Sequence, residues 1–190
     1  DISNIDTDRL VPARFLRNRR ADGYGRFLFH DLRFDANGSE NGDFVLNHPD
    51  FRDAAILVAA ENFGGGSSRE AAVWALADYG IRVVIASSFG DIFFENSFKN
   101  GLLTIRLPSE ELSQVRSAVR LLAGRTTDVD LEAQIVTGPD GQQYHFDIDP
   151  FKKQCLLSGQ DEIELTLALE AEIGAFETRL RHSMPWLIVD

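Results

Sequence analysis

The sequence predicts a mixed α/β fold with a parallel βαβ unit near its centre. Apolar runs at 55–60 and 81–86 are typical of buried parallel strands, and a helical pattern lies between them. Further along, two extended stretches flank a Gly-Pro-Asp-Gly turn within 129–148, and residues from about 160 onward fit helices. The predicted class is therefore α/β with a parallel βαβ core, a β-hairpin and C-terminal helices.

Residues 1–50 are predicted to form long loops. They contain a basic run from Arg14 to Arg20 and a turn-rich stretch at 37–43. The Asp6-Thr7-Asp8 segment lacks the glycine and the distal glutamate of a calcium-binding loop, so we expect only local turn chemistry there.

The βαβ unit is the most regular part of the chain. Its first strand is expected at 55–60. Its helix is expected from Ser67 to Tyr79, where apolar residues recur at helical spacing and Gly80 follows as a stop. The second strand is expected at 81–86, parallel to the first.

Two helices and a strand are predicted to follow. A short phenylalanine-rich helix within 88–100 ends at Asn100-Gly101, and a strand occupies 102–106. Pro108-Ser109-Glu110-Glu111 predicts a capped helix start with two acids in the first turn, and this helix continues through Leu122.

The last third of the chain is predicted to form a hairpin and then helices. The hairpin strands are expected at 129–137 and 142–148, with the turn at 138–141. A helical stripe runs from Leu165 to Leu180, although 163–169 also alternates as a strand would. The apolar tail at 185–189 is expected to dock on this subunit or on a partner.

Length, charge and cysteine content limit the possible functions. The chain has 190 residues, a formal net charge of −11 and one cysteine, Cys155. This length predicts a single domain, 1–190. One cysteine cannot form an internal disulfide, a thiolate zinc site or an iron–sulfur cluster, which is typical of a cytosolic chain without a soft-metal site.

The same numbers bear on partners and on location. A net negative surface disfavours nucleic acid and anionic membranes as partners. No apolar run approaches the roughly 20 residues of a transmembrane helix, and we expect no targeting leader. The first residue is not methionine, so we expect native residues before Asp1.

The glycine-rich junction between the first strand and the helix, Asn62 to Glu70, is the first candidate site. Free backbone N–H groups and the helix dipole favour an anion at a helix start, and glycine lets a ligand approach the backbone closely. The alternative is purely structural: Ser67 caps the helix and Glu70 completes a capping box.

A small carboxylic acid is the expected ligand of this junction. The junction lacks the last glycine of a dinucleotide fingerprint and the lysine of a P-loop, which disfavours a nucleotide. Arg69 lies where the helix dipole disfavours a cation, and a guanidinium can bind a carboxylate through two hydrogen bonds. The basic run at 14–20 is either a solvated face or an arm that clamps an acid.

Several motifs together resemble the small subunit of 3-isopropylmalate dehydratase, and the likeness extends to about residue 177. In chain order they are NIDTDRLVPARFL at 4–16, NFGGGSSRE at 62–70, SFGDIF at 88–93, NSFKNGLL at 96–103, VDLEAQ at 129–134 and IELTL at 163–167.

The resemblance implies a fold, a reaction and a partner. The fold would be the swivelling β/β/α three-layer domain of the aconitase superfamily, which closes over a [4Fe–4S] cluster held by a separate large subunit. The reaction would be the isomerisation of 2-isopropylmalate, a small dicarboxylic acid, to 3-isopropylmalate through isopropylmaleate. It would belong to leucine biosynthesis in the cytoplasm.

The resemblance also implies roles for individual residues, with no metal ligand among them. Ser67 would be the general base, acting as an alkoxide. Asp8 would assist catalysis by orienting a histidine of the large subunit. The implied substrate-binding residues are Ser68, Arg69, Arg20 and Gly66, with Arg20 as a second carboxylate clamp.

Four positions depart from the family pattern, one of them Glu164, where the family usually has glycine. Gly65, Ala71 and Val73 stand where the family usually has cysteine, histidine and proline. The missing histidine leaves room for a related malate-type substrate, such as citramalate or a homoaconitate-type acid. The alternative function is a non-catalytic module that binds a carboxylate or phosphate as a regulator or scaffold.

Overall fold

The computed structural model describes residues 3–160, 162–184 and 186 of the chain. Up to residue 55 the chain forms mostly loops, as predicted, with two one-turn helices, α1 (Thr7–Leu10) and α2 (His30–Arg33). Single 3-10 turns lie at Ala13–Phe15, Arg20–Asp22, Gly25–Phe27 and Val45–Asn47.

A three-stranded parallel sheet forms the centre of the molecule. Its strands are β1 (Ile56–Val58), β2 (Val83–Ala86) and β3 (Leu103–Arg106), in that spatial order. Helix α3 (Glu70–Tyr79) connects β1 to β2, and α4 (Asp91–Lys99) connects β2 to β3. The predicted parallel βαβ unit is confirmed.

Two helix starts differ from the prediction. Helix α3 begins at Glu70, not at Ser67, because Arg69 is still extended with a φ of −130°. Helix α5 (Ser109–Leu121) follows Pro108, whose position carries no side-chain cap, so the predicted cap there is wrong.

A second, antiparallel sheet follows α5, with strands β4 (Asp128–Asp130), β5 (Ile135–Thr137) and β6 (Gln143–His145). The predicted continuous strand at 129–137 is wrong because the chain reverses between β4 and β5. There the Asp130 carboxylate accepts a hydrogen bond of 2.7 Å from the Ala133 amide, and Gln134 has a φ of 59°. The predicted hairpin between β5 and β6 is confirmed.

The parallel sheet separates two apolar cores. Alternate residues such as Leu57 and Val84 face the core that contains the buried face of α3, whereas Ile85 and Ile105 face the second core. The second core also contains side chains of α5 and of the antiparallel sheet, Val136 among them. The result is three layers, helix, parallel sheet and antiparallel sheet, which confirms the predicted β/β/α arrangement.

Helices α6 (Pro150–Ser158), α7 (Glu162–Ala168) and α8 (Glu170–Ser183) close the described chain. Sequence reasoning missed α6, although Asp149 followed by proline is a strong start signal: the Asp149 carboxylate accepts from the next amides, Phe151 and Lys152, at 3.0 Å. Residues 163–168 lie in α7, so the helical interpretation of this stretch is confirmed and the strand alternative is wrong.

The outer apolar side chains of these last helices are exposed, with Ile163 at 68% and Phe176 at 56%. Within the predicted docking tail, Trp186 is 73% exposed, and the remainder, residues 185 and 187–189, lies outside the described residues.

Candidate functional site

The glycine-rich junction lies at the carboxyl end of β1, beside the loop that follows β2. The Phe63 amide donates to the Ser88 carbonyl at 3.0 Å, and the Gly90 amide donates to the Phe63 carbonyl at 3.0 Å. Ligand sites of open parallel sheets typically lie at this end of the strands. The junction is therefore held in a position suited to ligand binding.

Two glycines are required where these loops meet. Gly64 has a φ of 73°, and a Cβ at this position would lie 2.2 Å from the Phe93 ring. A Cβ at Gly90 would lie 2.6 Å from the Gly64 carbonyl oxygen. Gly65 is less constrained, since its Cβ would approach the Asn62 side chain at 3.0 Å.

The N-terminal segment runs alongside the junction. The Gly64 amide donates to the Ile5 carbonyl at 2.7 Å, and the Thr7 amide donates to the Gly65 carbonyl at 3.0 Å. The Thr7 hydroxyl donates to the Ser67 carbonyl at 2.8 Å. Two motifs that lie 60 residues apart in the chain thus form one surface.

Ser67 and Ser68 are exposed and precede α3. The cap position belongs to Arg69, which makes no side-chain cap bond. The Glu70 carboxylate accepts a hydrogen bond of 2.9 Å from the Asn100 side chain. The capping-box interpretation is therefore wrong, and the two hydroxyl groups lie on an open loop beside the start of the helix.

Arg69 forms an ion pair with Asp8. The Arg69 side chain is 17% exposed and the Asp8 side chain 58% exposed. The same Asp8 oxygen accepts from the Ala13 amide at 2.9 Å. The Arg69 guanidinium, more than any other group, lowers the pKa of Asp8. Arg69 at the helix start thus has an anion beside it, and the structure brings these two predicted residues into contact.

Arg20 lies beside α3, against a different side chain. Its guanidinium lies over the ring of Trp74, 4.9 Å from the ring centroid. The indole Nε1 of Trp74 is buried and has no hydrogen-bond partner among the described residues. Within the described part of the chain, no hydrogen bond or ion pair connects Arg20 with Ser67, Ser68 or Arg69, so its role as a clamp stays a prediction.

Sequence reasoning missed two features of this region. Thr7 is only 2% exposed, and its hydroxyl reaches the junction. Arg14 forms an ion pair with Asp31. The only sequence signal for Thr7 was its place between two aspartates.

The candidate site is open to solvent. Gly66, Ser67 and Ser68 are all exposed. A cavity of about 390 Å³ lies elsewhere, between α4, β3 and α6, and no predicted site residue lines it. A surface loop with this chemistry needs a second surface to exclude water from a bound ligand.

No three His, Cys, Asp or Glu side chains of the described ranges come together as a metal centre. The single cysteine, Cys155, is buried. A cluster that requires several thiolates does not fit these residues. Of the helices in residues 3–160 and 162–184, none is both long and apolar enough to cross a membrane.

Three family models match the chain in succession. The aconitase C-terminal domain matches residues 1–110, LeuD_N matches 121–150, and the C-terminal domain of the 3-isopropylmalate dehydratase small subunit matches 162–189.

Curated relatives match nearly the whole chain. The 3-isopropylmalate dehydratase small subunits of Parvibaculum lavamentivorans and Afipia carboxidovorans are each 52% identical over 186 residues, which is 98% of this chain and 92% of theirs. That of Dinoroseobacter shibae is 52% identical over 97% of this chain and 92% of its own length.

A crystal structure of 3-isopropylmalate dehydratase from Methanocaldococcus jannaschii has a similar fold. The TM-score is 0.64 at 24% identity, and the match covers 92% of this chain and 93% of that one.

Proposed function

Because the chain belongs to the family of 3-isopropylmalate dehydratase small subunits, we propose that it is the small subunit of a hydro-lyase. This enzyme isomerises 2-isopropylmalate to 3-isopropylmalate through isopropylmaleate, in leucine biosynthesis. We also propose that residues 1–190 act as one swivel domain and that the enzyme works in the cytoplasm.

The convergence of two distant motifs supports this proposal most directly. The exposed hydroxyl of Ser67 lies in the same short loop as Arg69, and Arg69 is paired with Asp8 of the N-terminal segment. A base, a cation and a carboxylate on one open surface are the groups that a hydro-lyase acting on a dicarboxylic acid requires.

In this reaction Ser67 would act as the general base. Its alkoxide takes the proton from the carbon beside a substrate carboxylate, the electron pair of that C–H bond forms the double bond, and the hydroxide that leaves the neighbouring carbon would be accepted by a Lewis acid supplied by the large subunit. Rehydration reverses the proton transfer at the other carbon. The positive end of the α3 dipole favours the alkoxide over a neutral hydroxyl.

Arg69 would bind one substrate carboxylate while it remains paired with Asp8. Its contacts with Asp8 and with the Val11 carbonyl both use Nη1. Among the described residues, no acceptor bonds to Nε or Nη2. These two donors point the same way and match a carboxylate with two parallel hydrogen bonds.

Three further residues would complete the substrate site. Ser68 would donate a hydrogen bond to the carboxylate on Arg69, and Gly66 would let the substrate approach the backbone. Arg20, oriented by the Trp74 ring, would bind the second carboxylate. Asp8 would orient a histidine of the large subunit.

The partner is proposed to be a large subunit that carries a [4Fe–4S] cluster. The described residues of this chain do not fit a cluster, since they hold one buried cysteine and no group of potential ligands. The open loop would meet the large subunit, so that the substrate is enclosed between the two chains.

Reconstitution with a cluster-bearing large subunit tests the function. Isopropylmaleate absorbs in the ultraviolet, so its formation from 2-isopropylmalate is followed directly. We expect turnover only when both chains are present. If only citramalate or a homoaconitate-type acid is turned over, the substrate is a related malate and not 2-isopropylmalate. If none of these acids is turned over, the result favours a non-catalytic module that binds a carboxylate.

A further inference from the structure

Thr7 is a buried polar residue that contacts the candidate site. Four polar or charged side chains of the described residues are buried, namely Thr7, Arg33, Asn47 and Ser97. Of these, Thr7 alone bonds to the glycine-rich junction. Burial of a hydroxyl is tolerated when a partner satisfies it, and the Ser67 carbonyl at 2.8 Å does so.

Thr7 bonds to the chain on both sides of Gly66. Its amide donates to the Gly65 carbonyl at 3.0 Å and its hydroxyl to the Ser67 carbonyl at 2.8 Å. Gly66 between them has a φ of 88°, a conformation that most residues avoid. Two bonds from one residue therefore hold the peptide before Gly66 and the peptide after Ser67.

The bond to the Ser67 carbonyl also fixes the direction of the next amide. The peptide between Ser67 and Ser68 is trans, since the chain has no cis peptide bond among its described residues. In a planar trans peptide the C=O and N–H groups point in opposite directions. With the Ser67 carbonyl turned inward to Thr7, the Ser68 N–H points outward, and no described acceptor binds it.

We propose that Thr7 is a positioning residue: through the Ser67 carbonyl it aims the Ser68 N–H at the face where the substrate binds. This inference rests on the proposed function, because it assigns the outward N–H to a substrate carboxylate. A donor fixed before the reaction stabilises developing negative charge without reorganisation.

The test compares Thr7→Val with Thr7→Ser in the enzyme reconstituted with its large subunit. Valine keeps the shape of threonine and removes the hydroxyl, whereas serine keeps the hydroxyl. We expect Thr7→Val to lower kcat about 10- to 100-fold with little change in KM, and Thr7→Ser to stay within about threefold of wild type.

Ser97→Ala is the matched control. Ser97 is fully buried, and its hydroxyl donates to the Phe93 carbonyl at 2.8 Å, so this variant also removes a buried hydroxyl–carbonyl bond. We expect it to lower the melting temperature as Thr7→Val does and to leave kcat unchanged. If Thr7→Val does not fold, the comparison of Thr7→Ala with Thr7→Ser isolates the same hydroxyl.

A kinetic isotope effect separates positioning from general loss of structure. With deuterium on the carbon that loses its proton, the isotope effect on kcat rises if proton transfer has become slower, and partial unfolding does not change it. Wild-type kcat and isotope effect in Thr7→Val would overturn the inference while leaving the proposed function intact. If the wild-type small and large subunits together show no turnover, the proposed function is refuted instead.

Discussion

Arg69 precedes α3 at a position where the helix dipole disfavours a cation, and Asp8 offsets this disadvantage. The sequence indicated that Arg69 needs a nearby anion, because an arginine there has no structural benefit. It did not identify Asp8 by physical reasoning, since the two residues are 61 positions apart and one sequence contains no information on such pairing. Only the family resemblance placed both in one site.

Ser67→Ala is expected to abolish turnover, by about 10³-fold or more, because alanine cannot accept the proton. Initial rates of isopropylmaleate formation measure the effect. Ser113→Ala, which removes an exposed hydroxyl of α5, is the control and should be fully active. Full activity of Ser67→Ala would refute the base assignment.

Asp8→Asn is expected to lower kcat about 10-fold without raising KM. The neutral amide loses the charge proposed to orient a histidine of the partner, while the positive charge of Arg69 is no longer offset by a neighbouring carboxylate and attracts the substrate carboxylate more strongly. Steady-state kinetics of the reconstituted enzyme separate the two effects. A higher KM with unchanged kcat would contradict this assignment.

Asp31 provides a pH-dependent prediction. The Arg14 guanidinium, together with His30, lowers the pKa of Asp31 from 3.8 to about 2. A depressed pKa in the folded chain stabilises it above the ordinary pKa, and this contribution is lost as the pH falls toward 2.

Asp31→Asn should therefore melt at a lower temperature than wild type near neutral pH, and the difference should vanish in acid. Melting curves across this pH range provide the measurement. Asp43→Asn, at an exposed position whose carboxylate forms no ion pair among the described residues, should follow wild type throughout. A difference for Asp31→Asn that persists in acid would refute the ionic origin.

At the scale of elements, the glycine-rich junction was predicted as a strand-to-helix loop, but its helix begins three residues later than expected. Helical periodicity identifies the apolar face of α3, but it does not show whether Ser67 and Ser68 belong to the helix. It does not detect the hydrogen bonds from Thr7 that hold 65–67 outside the helix. The predicted boundary of a helix is wrong where hydrogen bonds from a distant segment compete with local helix propensity.

Gly64→Ala should destabilise the chain by about 3 kcal/mol, because the methyl group would overlap the Phe93 ring and alanine disfavours the φ of 73°. Gly124→Ala is the matched control: its φ is 86° and nothing lies within 4 Å of the added Cβ, so only the backbone penalty of about 1 kcal/mol remains. Denaturant unfolding measures both. Equal losses would show that packing on Phe93 does not matter.

At the scale of the molecule, the α/β class and the parallel strands followed from short apolar runs, which record burial on both faces. The separation of β4 from β5 did not, since two of the three residues of β4 are exposed and it carries aspartate at both ends. The exposure of the apolar side chains of α7 and α8 was not predicted either. An apolar stripe on a helix predicts that the stripe is buried, but it does not specify the surface that covers it.

The purified chain alone should take up no stoichiometric iron when iron and sulfide are supplied anaerobically. It has one cysteine, which is buried, and a cluster needs several accessible thiolates. Iron analysis and visible absorbance after desalting provide the measurement, and the large subunit treated in parallel is the positive control. One cluster per small subunit would contradict the proposed division of roles.

The contact between the N-terminal segment and the junction has a consequence during synthesis. Thr7 leaves the ribosome long before Ser67, its partner 60 residues later. Until that loop emerges, Leu10 and Val11, both fully buried in the finished protein, lack the surface on which they pack. Closing so long a loop is entropically costly. The N-terminal segment therefore gains the surface on which it packs only after residues 62–70 have emerged.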